Sequence, residues 1–532
     1  MKNRTALSKK LGSQNAARAP FSNRTRARRV FQSTPPLDLD SSQHEFCIKG
    51  FAKQLREGEV TATELASKFL QRIELTNMEL NSFITVDASA VLEQARAIDE
   101  EFHKGIDRGL LAGIPIAVKD NICTKDLVTT AGSKALEGYY PPYDAAVVRA
   151  LRQAGAVIIG KTNMDEFGMG STSESSAFGC TRNPWDLTRV PGGSSGGSAV
   201  AVASQQCLAS IGSDTGGSVR QPASFCGVVG FKPTYGTISR HGLISYASSF
   251  DCIGTLTTCA EDSAILLKAL TNSTDERDAT HLELTQLKVT SRLIDPMLPL
   301  SGFKFGIVKQ ALGSWLEADV LSSFLDSVEI LRKLGAHIEE VSCNSFTDGL
   351  PAYYILALSE ASSNLARYDG IREGVAFETL ANAGSSVTRS ACLGDEVKRR
   401  ILMGTYTLSA GYADAYYERA HKVRKQVSAE MQSKLRDHDA LLTPVATTTA
   451  PKLETISENP LQMYTGDAMT VNVNLSGLPA LVIRGKRSRS SGMPVGLQLI
   501  GRSFGDRELL RIGAIFERIF DEHFGTRPFA DL

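Results

Sequence analysis

The chain has 532 residues, which is long enough for two or three average domains or for one large α/β enzyme. Its composition is that of an ordinary globular protein, with 42% hydrophobic and 22% charged residues, of which 58 are basic and 58 acidic. The sequence contains no apolar run of 18 residues, so no membrane span is predicted. It also lacks C-x-x-C and H-E-x-x-H spacing, so neither a zinc site nor a disulfide framework is predicted.

The N-terminal segment, residues 1–35, carries nine basic residues and no acidic residue, since the first acid is Asp38. A start that is rich in arginine, contains serine and lacks an apolar core predicts an organelle transit peptide; the alternative is a disordered basic tail. Residues 29–31, Arg-Val-Phe, followed by Gln32 resemble a mitochondrial processing site and favour the mitochondrial matrix over the chloroplast. Without these nine residues, 49 basic side chains stand against 58 acidic ones, which argues against stand-alone nucleic-acid binding.

Helical and strand-like patterns alternate along the rest of the chain. Residues 61–64, Thr-Ala-Thr-Glu, form a capping box that predicts the start of a helix. Further helices are predicted over residues 145–154, 318–333 and 507–520, and strands over 156–159, 207–211, 305–308, 337–338, 441–442, 481–483 and 497–500. The alternation predicts one large α/β domain, residues 45–525, whose mixed and largely parallel sheet is covered by helices on both faces. Small and polar residues predict surface loops at residues 380–390 and 486–492.

Lys119 is the first chemically unusual residue, because it ends the apolar, strand-like stretch 113–118. Burying an ammonium group without partners is costly, and desolvation favours the neutral amine that a general base needs. The alternative is a lysine that reaches solvent or pairs with the adjacent Asp120. The sequence therefore makes Lys119 a candidate base.

Two stretches rich in glycine and serine follow, residues 192–198 (Gly-Gly-Ser-Ser-Gly-Gly-Ser) and 212–218 (Gly-Ser-Asp-Thr-Gly-Gly-Ser). Their glycines permit unusual backbone conformations, and successive amides beside Ser218 can form an oxyanion hole. Either stretch alone is also typical of an ordinary loop, whereas the two together, downstream of Lys119, favour a catalytic site. Neither stretch is a P-loop, because G-x-x-x-x-G-K-[ST] is absent. The G-x-S-x-G match at 192–196 lacks the buried strand that precedes a nucleophile elbow.

In order and spacing, these stretches resemble the amidase signature family. The resemblance implies that Ser218 is the nucleophile, Ser194 a bridging serine on a cis peptide and Lys119 the base. A serine hydroxyl is a weak nucleophile, and a lysine with a lowered pKa can activate it through Ser194. The implied oxyanion hole is formed by the backbone amides of Thr215, Gly216 and Gly217.

Residues in the second half of the chain narrow the resemblance to the A subunits of glutamyl-tRNA(Gln) amidotransferases. The likeness spans residues 45–525 and is carried by residues 353–354, 359–365, 367–372, 396–401 and 463–467. It implies a clamp on free glutamine, with Arg400 on the α-carboxylate, Asp467 on the α-ammonium and Tyr353 at the same pocket. An arginine fork suits a carboxylate. Without the resemblance, Arg400 would be interpreted as a solvated helix charge and Asp467 as a turn residue.

The same resemblance implies a glutaminase inside a larger assembly. This chain would hydrolyse glutamine without a metal or cofactor of its own. A partner B subunit would use ATP and Mg²⁺ to activate Glu-tRNA(Gln), hold most of the tRNA and receive the ammonia, and a small C-type subunit would complete a heterotrimer. One alternative is a free-standing amidase for small or fatty-acid amides, which would not need Arg400 and Asp467. The other is a non-catalytic assembly subunit, which would have lost part of the triad.

Overall fold

The computed structural model describes residues 46–271, 275–282, 298–370, 385–455 and 460–525. Eleven strands in these ranges form one sheet. The strands are β1 (Phe83–Thr85), β2 (Pro115–Lys119), β3 (Val157–Thr162), β4 (Ala209–Asp214), β5 (Val229–Lys232), β6 (Cys252–Thr257), β7 (Lys304–Val308), β8 (His337–Val341), β9 (Ala440–Pro444), β10 (Ala480–Arg484) and β11 (Gly496–Ile500). Their order across the sheet is β1-β3-β2-β4-β6-β5-β10-β11-β9-β7-β8.

Helices of the described ranges fall before, between and after these strands. In the first half they are α1 (Ile48–Glu57), α2 (Ala62–Leu80), α3 (Ala88–His103), α4 (Ala146–Gln153), α5 (Gly196–Ala203), α6 (Arg220–Cys226) and α7 (Ala260–Leu270). In the second half they are α8 (Ala318–Lys333), α9 (Gly349–Asn364), α10 (Ser385–Cys392), α11 (Asp395–Thr407), α12 (Arg419–Leu435), α13 (Pro460–Gly466), α14 (Val471–Ser476) and α15 (Asp506–Phe524). None of these described helices is both long and apolar enough to span a membrane.

Local sequence signals set several of these elements. The predicted capping box forms at the start of α2, where the Thr61 hydroxyl accepts from Glu64 N–H and the Glu64 carboxylate accepts from Thr61 N–H. Leu65, Phe69 and Ile73 then recur at helical spacing and are all buried. Every residue of β2, β3 and β4 is buried, so both faces of the sheet are covered at its centre. The predicted α/β fold with a mixed sheet is confirmed.

The sheet is less parallel than the alternation of elements indicated. Neighbours pair in parallel only where β2 meets β3 and β4 and where β7 meets β8 and β9. The other six pairings are antiparallel. No helix lies between β5 and β6 or between β10 and β11 in the chain, and a connection without a crossover helix returns the strand antiparallel. The prediction of a largely parallel sheet is therefore wrong, while that of a mixed sheet holds.

The two loop predictions have different outcomes. Residues 486–492 connect β10 to β11 as predicted, and Lys486 there pairs with Asp326 at 2.7 Å. Residues 385–390 belong instead to α10, because Arg389 donates to the carbonyls of Leu365 and Tyr368 and anchors the segment. Residues 380–384 of that loop, the predicted transit peptide at 1–35 and residues 371–372 of the amidotransferase likeness lie outside the described residues.

The fold brings two of the chemically marked stretches to one edge of the sheet. Strands β2 and β4 are parallel neighbours, with Val118 opposite Ile211. Their carboxyl ends therefore lie side by side, which places Lys119 next to the loop that begins at Asp214. Helix α5, which follows Ser194 directly, packs on the same strands.

Candidate active site

Lys119 is fully buried, and its ammonium nitrogen lies among serines. Nζ is 2.8 Å from Ser194 Oγ, 2.8 Å from Ser195 Oγ and 2.9 Å from Ser213 Oγ. Asp120 does not pair with it, since its Oδ1 lies 3.6 Å from Lys161 Nζ instead. The predicted buried lysine is therefore present, and the alternatives of a solvated lysine or a Lys119–Asp120 pair are wrong.

The surroundings of Lys119 favour its neutral form near neutral pH. Burial lowers its pKa to about 7, although the carboxylates of Asp165, Asp214 and Asp251 act in the opposite direction. An amine with this pKa is a useful proton acceptor at physiological pH. Lys119 thus has the position and the protonation that a general base requires.

The two glycine-rich stretches run against each other beside this lysine. Ser194 follows a cis peptide bond after Gly193, and the N–H of Ser195 donates to the carbonyl of Ser218 at 3.1 Å. Ser218 keeps 8% of its surface exposed, whereas Lys119 has none. The backbone of Ser218 thus lies against the stretch that carries Ser194 and Ser195, and Ser218 is slightly more exposed than Lys119.

Asp214 organises the loop that carries Ser218. Its carboxylate accepts from the N–H of Gly217 at 3.0 Å and of Val219 at 3.1 Å, and it pairs with Arg220 at 2.9 Å. Burial alone would raise the pKa of Asp214, but Arg220 and Lys232 hold it well below its usual range. The Asp214 carboxylate, held in its ionised form by Arg220, therefore anchors the loop.

This arrangement corrects one of the predicted oxyanion donors. The N–H of Gly217 already donates to Asp214, so it is not available to a substrate oxygen. Gly217 has φ of 137°, and a Cβ there would collide with Thr470, so glycine is needed for the backbone path. The amides of Thr215 and Gly216 remain the predicted donors.

Arg400 lies on α11 with its guanidinium buried, 3% exposed. Nε donates to Glu396 Oε1 at 2.7 Å and Nη1 to the Tyr246 hydroxyl at 2.9 Å. Nη2 is buried without a hydrogen-bond partner in the part of the chain that the structure describes. The rings of Tyr246, Tyr354 and Tyr464 surround the guanidinium at 5.5–5.7 Å. Arg400 is therefore not a solvated helix charge, and a buried donor without a partner is suited to an anionic ligand.

Asp467 follows α13 in a turn, yet its side chain is buried, 7% exposed. Its carboxylate accepts from Ser171 Oγ at 2.9 Å and from the Tyr354 hydroxyl at 2.6 Å. Burial raises the pKa of Asp467 to about 6, and those two hydrogen bonds oppose the shift. The carboxylate is thus held where a cationic ligand would stabilise its charge.

Tyr353 connects the charged pocket, formed by Arg400, Asp467 and the tyrosines around them, to the loop that carries Ser218 (the serine loop). Its ring contacts Tyr354 at 5.1 Å and Phe250 at 5.7 Å between centroids, and a Cβ on Gly216 would collide with its hydroxyl. The Thr470 hydroxyl, three residues after Asp467, donates to the Gly216 carbonyl at 2.5 Å. The structure therefore places Tyr353 and the Asp467 turn against the loop that ends in Ser218.

Several residues of the site were not among those predicted from the sequence. They are Ser195 and Ser213 at the lysine, and Ser171, Tyr246 and Tyr354 at the charged pocket, of which Tyr354 was known only as part of the amidotransferase likeness. Ser195 and Ser213 lie inside the two glycine-rich stretches and could have been named from them. Ser171 and Tyr246 lie in no motif, and only the folded chain brings them to Asp467 and Arg400.

The chain is similar to known amidases in sequence and in fold. Residues 64–510 match the model of the Amidase family. The chain is 50% identical over 491 residues to the chloroplastic/mitochondrial glutamyl-tRNA(Gln) amidotransferase A subunit of Oryza sativa subsp. indica, with 90% of each protein covered. The Arabidopsis thaliana protein of the same name is 50% identical over 474 residues, with 88% of each covered. The crystal structure of the glutamyl-tRNA(Gln) amidotransferase A subunit from Thermotoga maritima superposes with a TM-score of 0.73 at 38% identity, covering 92% of this chain and 98% of that one.

Proposed function

Because the chain belongs to the amidase family, we propose that it hydrolyses glutamine as the A subunit of a glutamyl-tRNA(Gln) amidotransferase. One observation carries the choice of substrate. A buried guanidinium with an unpaired Nη2 and a buried carboxylate lie in the pocket that adjoins the serine loop. Free glutamine presents an α-carboxylate and an α-ammonium, which are the two groups that Arg400 and Asp467 can pair with.

In this proposal Lys119, Ser194 and Ser218 form the catalytic triad. Neutral Lys119 takes the proton of Ser194, which takes that of Ser218 as the Ser218 oxygen attacks the side-chain amide carbon. The amides of Thr215 and Gly216 stabilise the negative charge on the carbonyl oxygen. The proton returns through Ser194 to the leaving nitrogen, which departs as ammonia. Water then cleaves the glutamyl ester, releasing glutamate and restoring the Ser218 hydroxyl.

Hydrogen bonds around Lys119 support its role as the base. Ser195 Oγ donates to the Ser213 carbonyl at 3.0 Å, so it accepts a hydrogen bond from Lys119 in return. Ser213 Oγ also accepts from Asn121 and is a second acceptor for the amine. Protonated Lys119 donates to Ser194 Oγ at 2.8 Å. When Lys119 is neutral, its two N–H groups are satisfied by Ser195 and Ser213, and its lone pair is left to accept from the Ser194 hydroxyl.

The alternative of a free-standing amidase for neutral amides has weaker support. Such an enzyme has no use for the buried, unpaired Nη2 of Arg400, nor for the buried carboxylate of Asp467, whose hydrogen-bond partners among the described residues are hydroxyl groups. The relatives at 50% identity carry the name of the amidotransferase. The non-catalytic alternative is disfavoured because all three triad residues are present and adjoin the pocket.

The proposal extends to partners and location. The A subunit of such an enzyme works with other subunits, and we assign to a B subunit the ATP, the Mg²⁺ and most of the tRNA, and to a small C-type subunit the bracing of the pair. No metal or cofactor is assigned to this chain. The names of the plant relatives support an organelle. The basic N-terminal segment makes the mitochondrial matrix our first choice and the chloroplast the second.

Glutamine hydrolysis by the purified complex tests the proposal. The chain is isolated with its partner subunits, and glutamate release is measured with the wild-type chain and with Ser218→Ala. We expect activity on glutamine that Ser218→Ala abolishes without a change in the thermal unfolding midpoint. Robust hydrolysis of neutral amides together with no glutamine turnover would assign the chain to the free-standing amidases instead.

A further inference from the structure

The turn after β3, residues 165–175, contacts both halves of the site. The N–H of Asp165 donates to the carbonyl of Ser194 at 3.2 Å. Six residues later, the Ser171 hydroxyl binds the Asp467 carboxylate. Between them, Glu166 reaches α11, the helix that carries Arg400. One short segment thus contacts the backbone of Ser194, the carboxylate of Asp467 and the start of the helix that carries Arg400.

Glu166 is 2% exposed and has no role in the chemistry described above. One of its carboxylate oxygens accepts from the N–H of Gly394 at 2.7 Å, and the other accepts from the Ser133 hydroxyl. Gly394 is the N-cap residue of α11, and having no side chain it cannot cap the helix itself. The Glu166 carboxylate accepts instead from the N–H of Gly394 itself, as the second half of a capping box would, at the helix end where negative charge is favourable.

The position of this cap matters for Arg400. Arg400 lies six residues after Gly394 on the same helix, and Glu396 and Tyr246 hold its Nε and Nη1. The unpaired Nη2 can therefore be aimed correctly only if α11 keeps its place relative to the serine loop. A Cβ at Gly168, two residues after Glu166, would lie 3.7 Å from Ser194 Oγ and 3.9 Å from Tyr246 Cβ, so this turn passes close to both residues.

We infer that Glu166 is a positioning residue for the substrate's α-carboxylate, which it serves by tying α11 and the Arg400 fork to the turn that holds Ser194. This inference rests on the proposed glutaminase function. Loss of the tie displaces the fork without touching Lys119, Ser194 or Ser218. Binding of glutamine then weakens, while the chemistry on an amide that has no α-carboxylate continues.

The variants Glu166→Ala and Glu166→Gln test this inference in the assembled complex. Steady-state kinetics are measured on glutamine and on a small neutral amide. Glu166→Ala is expected to raise KM for glutamine about tenfold, the loss of roughly one charge-assisted hydrogen bond, and to leave kcat within about twofold. Turnover of the neutral amide stays within about twofold of wild type. Glu166→Gln keeps an acceptor for the Gly394 N–H and recovers most of the glutamine affinity.

Glu174→Ala is the matched control, because Glu174 lies in the same turn and also accepts from a backbone N–H, that of Glu454 at 2.8 Å. That bond leads away from α11, so the control should leave the kinetics on both substrates unchanged. Gly394→Ala disrupts the same Glu166–Gly394 hydrogen bond by changing the helix residue, since a Cβ there would collide with the Glu166 carboxylate. At φ of −70° the added methyl strains no backbone, so we expect the same selective rise in KM even if Glu166→Ala folds poorly.

The outcomes separate the inference from the function on which it rests. If the wild-type complex does not hydrolyse glutamine, the proposed function fails. If it does, the inference is overturned by either of two results. Equal losses of turnover on both substrates in Glu166→Ala and Gly394→Ala would show that Glu166 only stabilises the fold. Unchanged turnover of both substrates would show that Glu166 does not position the Arg400 fork. Recovery by Glu166→Gln of the KM for glutamine, with neutral-amide turnover constant throughout, supports the tie.

Discussion

Replacement of Arg400 by alanine is expected to separate glutamine from neutral amides. The change removes the buried, unpaired Nη2 that we assign to the α-carboxylate. A hydrogen bond to a charged group contributes about 1.5–3 kcal/mol, and each ~1.36 kcal/mol is a factor of about ten. The expected fall in kcat/KM for glutamine is therefore about 10- to 150-fold, and up to about three orders of magnitude if the desolvated carboxylate is left fully unpaired.

The assay compares glutamine with a small uncharged amide in the presence of the partner subunits. The uncharged amide makes no use of the fork, so its kcat/KM should stay within about twofold. Arg399→Ala is the matched control, because Arg399 pairs with the same Glu396 but its side chain is 42% exposed, whereas that of Arg400 is buried. It separates loss of the fork from a mere disturbance of Glu396.

Two results would contradict the assignment of Arg400 to the α-carboxylate of glutamine. Equal losses on both substrates would indicate a folding defect at α11 and no role in recognition. Unchanged glutamine turnover in Arg400→Ala would show that the α-carboxylate is bound elsewhere, and the main reason for preferring the amidotransferase to a free-standing amidase would be gone.

Three further predictions concern the base, the second charge and the N-terminus. Lys119→Arg puts a group that stays protonated where the neutral amine is needed, so it cannot accept the proton and should be inactive. Wild-type kcat should fall about tenfold per pH unit below the Lys119 pKa of about 7, as a pH profile will show. KM for glutamine should rise as pH falls through the Asp467 pKa of about 6, because protonated Asp467 no longer pairs with the α-ammonium. In Asp467→Asn, KM should be raised at every pH and should not change further over this range. The mature protein should begin close to Gln32, so N-terminal sequencing of the organelle-purified chain that finds Met1 would contradict the transit peptide.

The residues of the proposed triad could be named from the sequence because their signals are local. Lys119 ends an apolar stretch that forms a buried strand, and the two glycine-rich stretches bring Ser194 and Ser218 beside it in the fold. The error at Gly217 is also local in origin. A run of consecutive amides looks like a set of free donors, but Asp214, three residues earlier, turns back to accept from one of them.

The charged pocket is different, because long-range contacts build it. Ser171 and Asp467 are 296 residues apart in the chain, and Arg400 and Tyr246 are 154 apart. Nothing in the spacing of these residues indicates that they meet. The same limit explains the sheet, since the pattern of apolar residues predicts that a strand such as β10 exists but not that it pairs antiparallel with β5.

Covalent labelling with an electrophilic analogue of glutamine shows directly whether Ser218 is the nucleophile and whether Lys119 activates it. The wild-type complex is treated with the analogue, with and without excess glutamine, and the modified residue is identified by peptide mass spectrometry. We expect a single adduct on Ser218 that glutamine prevents and that Lys119→Arg forms far more slowly. An adduct on Ser194, or labelling of Ser218 at the same rate without Lys119, would contradict the proposed triad.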